Sequence, residues 1–238
     1  MQGTVGPDGT LYGHARNSAS RDRNRARRMS ELNRYCVFAA IVVASGPAVA
    51  QEPQAPSGKQ WSVYGSLFGY LIPDGRSYVS PTLTADRRSL HLEARYNYEN
   101  LETGSFWIGR NLSFGSKVTL DLTLMIGGVF GQSNGVAPGY LATLSYRRLT
   151  LDAQGEYLFD TSDRSGSYFY SWSELTYSPA EWFRAGLVVQ RTKAYQTTLE
   201  IQRGFLAGFT YKRADFAAYV FNLGWTDPTV VLSIGFSF

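Results

Sequence analysis

The chain has 238 residues, a single cysteine, 15% aromatic and 18% charged residues. Its net charge of +4 sits entirely in the first 50 residues, where seven Arg face Asp8, Asp22 and Glu31; the 16 Lys+Arg and 16 Asp+Glu that remain cancel. A neutral body of this kind argues against nucleic-acid binding despite the pI of 9.1. One cysteine excludes an internal disulfide and any multi-cysteine metal framework. With only two histidines, no His-rich metal site is expected, and no cofactor is implied.

Residues 1–28 are polar, Arg-rich and without periodicity, and read as an unstructured extension. Met29 stands where a secretory signal peptide would begin, which points to a mis-assigned start. Arg34 precedes a short apolar stretch from Cys36 to Ala44, far below the ~20 residues that span a bilayer as a helix. Ser45-Gly46-Pro47 breaks it, and Ala48-Val49-Ala50 matches a small-x-small cleavage pattern. Residues 29–50 are therefore read as a signal peptide cleaved before Gln51. Residues 51–59 form a flexible polar segment, and residues 60–238 the folded domain.

From Trp61 onward the apolar spacing is two, not three and four. Leu90, Leu92, Ala94, Tyr96 and Tyr98 share one face; His91, Glu93, Arg95, Asn97 and Glu99 share the other. The same alternation runs through 117–128, 148–159, 199–212 and 229–238. Twelve strands are expected near 60–71, 77–86, 89–99, 103–113, 117–129, 136–146, 148–159, 167–177, 182–193, 198–212, 215–225 and 229–238. Most exceed the usual ~5–6 residues of a globular strand and match the ~9–11 of a tilted membrane strand. Pro81 and Pro138 fall inside candidate strands, where each removes a ladder donor.

The connections nearly alternate between long and short. Those carrying Asp74-Gly75, Asn134-Gly135, Asp163-Arg164-Ser165-Gly166 and residues 194–197 are the long ones, all on one side. That asymmetry suits a barrel with longer extracellular loops and short periplasmic turns. Aromatic residues gather near strand ends (Tyr96 and Tyr98, Phe114, Phe130, Tyr157 and Phe159, Tyr177 and Trp182, Tyr211, Trp225), as in interfacial girdles. The segment Val231 to Phe238 (VLSIGFSF) ends with Phe236 and Phe238 on one face.

With its signal peptide, alternating strands and terminal aromatics, the chain resembles the outer-membrane β-barrel proteins of Gram-negative bacteria, the porin-like ones included. No single subfamily matches. The resemblance implies a closed antiparallel transmembrane β-barrel of about twelve strands in the outer membrane. It also implies outer-membrane lipid and lipopolysaccharide as surroundings, and assembly by the barrel-assembly machinery through Phe236 and Phe238.

Three functions are open. The first is a narrow passive channel for ions or small polar solutes. Its inward face would include Glu93, Arg95, Lys117, Asp121, Arg148, Asp152, Glu156, Arg184, Gln190, Glu200, Gln202 and Lys212, with neither sign dominant. Glu93, Arg95, Asp121, Arg148, Asp152, Glu156, Arg184 and Glu200 are the candidates for lining the lumen and setting selectivity. The second is an outer-membrane lipid or lipopolysaccharide hydrolase built on His91, which follows Ser89 and shares a face with Glu93. The third is a sugar-binding or structural barrel with a plugged lumen, in which Tyr168, Tyr170 and Trp172 would stack ligands.

Overall fold

Alternation over long runs gives the chain strands with one apolar and one mixed face, and such strands are stable only when their edges are paired. The computed structural model describes residues 60–72, 76–194, 199–224 and 228–238. The extension, the signal peptide, the 51–59 segment, Asp74-Gly75 and Trp225 lie outside the described residues.

Twelve strands run β1 (Ser62–Leu71), β2 (Tyr78–Arg87), β3 (Leu90–Tyr96), β4 (Thr103–Gly115), β5 (Thr119–Gly131), β6 (Gly135–Tyr146), β7 (Leu149–Asp160), β8 (Tyr168–Ala180), β9 (Phe183–Ala194), β10 (Glu200–Tyr211), β11 (Ala214–Phe221) and β12 (Thr229–Ser237). Each pairs antiparallel with the next, and β1 closes on β12 from Tyr64↔Ser237 to Leu71↔Val230. The closed twelve-strand barrel expected from the sequence is thus the fold.

The side chains sort as a bilayer requires. Most leucine, isoleucine and phenylalanine side chains project outward, Phe106 being 66% exposed, while most charged and hydroxyl groups of the strands turn inward. Arg110, Arg191 and Arg203 are exposed exceptions on the outward parity. Pro81 and Pro138 are both outward and stay within their strands; the β6–β7 ladder skips Ala137-Pro138, where no prolyl N–H exists. Every connection following an even-numbered strand has two residues except Ser116–Val118. On the other side the fully described connections, Asn97–Glu102, Gln132–Asn134 and Thr161–Ser167, have six, three and seven residues.

One parity break corrects the sequence reading. Asn97 adopts φ 54° in the left-handed region, a conformation Asn tolerates better than most residues. Its amide nitrogen donates to Val79 O at 3.0 Å, and its side-chain oxygen accepts from Glu102 N at 2.7 Å. The chain therefore leaves β3 at Tyr96, and Tyr98 turns into the interior instead of joining the outer girdle.

Candidate functional site: the barrel interior

The interior has two halves. Near the long connections it is filled by Phe68, Tyr70, Tyr98, Tyr168, Tyr170 and Phe221, all buried. Near the short turns of β4, β5 and β6 the inward residues are smaller and half-buried, as with Asn111, Thr123, Thr143 and Ser145. Toward the long connections the interior is thus closed by an aromatic plug.

Arg95 organises the plug. Its Nε donates to Glu93 Oε1 at 2.7 Å, and Nη1 donates to Glu156 Oε2 at 2.8 Å, with Glu99 Oε1 at 3.7 Å. The guanidinium lies 4.0 Å from the Tyr98 ring centroid and 4.4 Å from that of Trp107. Ion pairs in the ring plane and aromatic faces on its flanks satisfy both kinds of guanidinium contact. Trp107 in turn donates from Nε1 to Ser105 Oγ at 2.9 Å, and Ser105 Oγ donates to Glu99 Oε1 at 2.6 Å. Tyr168 Oη reaches the Glu99 carbonyl at 2.7 Å.

A chain of hydrogen bonds descends from this cluster. Glu93 Oε2 meets His91 Nε2 at 3.2 Å, and His91 Nδ1 meets Asp86 Oδ1 at 2.8 Å. Asn111 Nδ2 donates to the same Asp86 oxygen at 2.7 Å, and Thr123 Oγ1 donates to Asn111 Oδ1 at 2.6 Å. Both ring nitrogens of His91 are thus committed to carboxylates, an arrangement that leaves neither facing a serine. Ser89 sits on the exposed turn.

A second cluster occupies the short-turn half. Arg184 grips Asp215 with two bonds of 2.7 Å, and Thr210 Oγ1 donates to Asp215 Oδ1 at 2.8 Å. Such fork-to-fork pairing is the strongest form of this contact. Asp152 and Glu174 face each other across β7 and β8. One oxygen of each is bonded, by Thr143 Oγ1 at 2.7 Å and by Trp172 Nε1 at 2.9 Å. Asp152 Oδ2, Glu174 Oε2 and the Gln154 amide have no partner among the described residues. They line a cavity of about 20 Å³, the size of one water.

Glycines make room for these bulky groups. A Cβ on Gly127 would lie 2.4 Å from the Trp107 ring, and one on Gly139 would lie 3.0 Å from it. A Cβ on Gly208 would lie 2.8 Å from the Arg184 guanidinium. Gly127 and Gly139 thus form the bed of the Trp107 indole.

The proposed lumenal residues are mostly where the alternation put them. Glu93, Arg95, Asp152, Glu156 and Arg184 are buried inside, as are His91 and Gln190. Asp121 is half-buried and accepts from Ser113 Oγ at 2.5 Å; Glu200 and Gln202 are half-buried on the inner face near the β9–β10 connection. Arg148 departs from the expectation. Together with Arg147 it forms the β6–β7 turn and is exposed at the barrel's end, not on its wall. Lys117 and Lys212 lie on turns as well, because β5 begins at Thr119 and β10 ends at Tyr211. Tyr168, Tyr170 and Trp172 are inside but packed; Trp172 meets Tyr219 and Phe221 edge-on at 5.6 and 5.2 Å. No open ring face is offered for stacking. Phe236 and Phe238 are outward and exposed, with ring centroids 5.2 Å apart.

These shifts change the charge balance expected of the lumen. Among the described residues, six carboxylates are buried (Glu93, Glu99, Asp152, Glu156, Glu174 and Asp215), against two arginines and His91. The interior is acidic. No group of three or more His, Cys, Asp or Glu side chains among the described residues could hold a metal ion.

A twelve-strand closed barrel with outward-facing aliphatics and a polar interior can be set beside solved folds. The fold is porin-like. The KdgM porin superposes with a TM-score of 0.52 at 11% identity, covering 74% of this chain and 99% of that one. The KdgM porin in complex with disordered oligogalacturonate gives the same values. Neither a family model nor a curated protein sequence matches the chain.

Sequence reasoning missed the aromatic plug, Glu99 as a partner of Arg95, and the Arg184–Asp215 pair. Asp215 was legible as the inward residue of a strand opening Ala214-Asp215-Phe216. The glycine beds need the cross-strand register, such as Trp107↔Gly127, which sequence does not supply.

Proposed function

We propose that the mature chain is an outer-membrane channel for small polar solutes, selective for cations and neutral molecules over anions. One observation carries this reading: the closed, lipid-facing barrel encloses six buried carboxylates against two arginines and His91. A lumen walled by low-dielectric protein focuses that negative potential on whatever enters. The KdgM porin has been solved with an oligogalacturonate, a polyanion; the interior here favours solutes of the opposite sign. Passage requires the Arg95 plug to move, so the resting channel is closed on the long-connection side. Export through the signal peptide at 29–50, with assembly read from Phe236 and Phe238, belongs to the same proposal, as does lipopolysaccharide around the outer wall.

The test is to refold residues 51–238 in detergent, confirm a heat-dependent gel shift, and record single-channel currents under a salt gradient. Discrete steps with a cation-selective reversal potential support the proposal. A competing reading, a plugged structural barrel, draws on the burial of Arg95, Tyr170 and Trp172. Folded protein that gives no steps at any voltage favours that reading instead.

A further inference from the structure

The two ends of the barrel carry different charge. At the short-turn end, the connections supply Arg88, Lys117, Arg147, Arg148, Lys212 and Arg213, all exposed, with Glu181 as the one acid. At the other end, the exposed charges on the described connections balance: Arg76 and Arg164 against Glu102 and Asp163, with Arg76 and Glu102 paired at 3.5 Å. The cations of the short-turn end have no such carboxylate partner among the ion pairs found in the described residues.

Their placement is as informative as their number. Arg147 lies over the Tyr146 ring at 5.2 Å, Lys212 over Tyr211 at 5.3 Å, and Arg87, at the end of β2, over Trp61 at 5.7 Å. Tyr146 and Tyr211 are the last, outward residues of β6 and β10, Tyr211 being 65% exposed. A cation held over a lipid-facing ring stands beside the wall, not above the mouth. That is the depth where acyl chains give way to headgroups, and where long cationic side chains place their charge while their stems stay in apolar surroundings.

We propose that this rim is a binding site for the phosphate-bearing headgroups of anionic glycerophospholipids in the leaflet facing the short turns. It rests on the barrel being in a membrane but not on its conducting. Ring-stacked cations set the depth, and the neighbouring Arg88, Arg148 and Arg213 offer the forked donors that phosphate oxygens take up.

The experiment uses the refolded barrel in bilayers of phosphatidylcholine mixed with phosphatidylglycerol, one of the two lipids brominated at a time. Trp61 and Trp182 stand at this rim, and bromine quenches indole fluorescence on contact. Brominated phosphatidylglycerol should quench several-fold more than its share of the bilayer predicts, and high salt should reduce the excess. A variant combining Arg147→Gln, Arg148→Gln, Lys212→Gln and Arg213→Gln, all on exposed turns, should keep the heat-dependent gel shift and lose the excess. Equal quenching by both lipids overturns the proposal. So does retention of the refolded protein on heparin without any lipid preference, which would assign the rim to a soluble polyanion. Quenching by neither lipid overturns it together with the membrane reading, whereas absent conductance with intact lipid preference removes only the channel.

Discussion

Arg95 on β3 and Glu156 on β7 meet at 2.8 Å inside the barrel, 61 residues apart in sequence and four strands apart around the wall. The bond ties two walls that share no ladder. Both side chains are buried, so the Arg95 charge depends on Glu156 and Glu93 for its compensation, and the Glu156 charge depends on Arg95.

Removing the cation should therefore be costly. Arg95→Met keeps the volume but leaves Glu93 and Glu156 uncompensated in the interior, and breaking a buried pair this way costs about 3–5 kcal/mol. Equilibrium unfolding of the refolded barrel in urea should show the loss as an earlier midpoint. Arg95→Met combined with Glu156→Gln and Glu93→Gln should recover much of it. A single variant as stable as the parent would mean that the cluster contributes no net stability.

Much of the barrel was legible because period-two alternation persists over runs of ten or more residues, which fixes strand identity and which side chains face together. Parity fails where one residue leaves the extended region: Asn97, at φ 54°, turned Tyr98 from an outward girdle residue into a wall of the Arg95 site. Turn boundaries fail by one or two positions, and that was enough to move Arg148, Lys117 and Lys212 from the lumen to the rim and so to hide the acidity of the interior. The plug was hidden for another reason. Phe68, Tyr70 and Phe221 are as apolar as the lipid-facing residues, so composition cannot separate the two faces there.

The Asn97 turn makes its own prediction. Both Asn97→Gly and Asn97→Val delete the bond to Glu102 N, but Gly is nearly neutral in backbone terms, whereas Val places a β-branched residue in the left-handed region at about 1–2 kcal/mol. Near-UV circular dichroism should report the difference through Tyr98 and Trp107, whose rings both lie against the Arg95 guanidinium. Identical spectra for the two variants would show that the turn does not set the position of Tyr98.

Gly127→Val tests the indole bed. Its side chain would enter the space of the Trp107 ring, which must then leave its stack on Arg95 or push β5 away from β4. Overpacking of this kind costs about 1–3 kcal/mol. Gly128→Val is the matched control, since a Cβ at Gly128 meets nothing within 4 Å. The expected outcome is a lowered melting temperature and altered Trp fluorescence for the first variant alone; equal effects would point to a general cost of replacing glycine in β5.

Selectivity separates the wall from the rim. Asp152→Asn with Glu174→Gln removes two of the six buried carboxylates while keeping shape and the partners Thr143 and Trp172. The reversal potential under a salt gradient should move toward the non-selective value, because the lumenal field is set by buried, poorly screened charge. Arg148→Glu changes the charge by two on an exposed turn, where salt at ~0.15 M screens within about 8 Å. It should leave the reversal potential almost unmoved. The opposite ranking, with Arg148→Glu dominating, would place the selectivity filter at the short-turn mouth and take it away from the acidic interior.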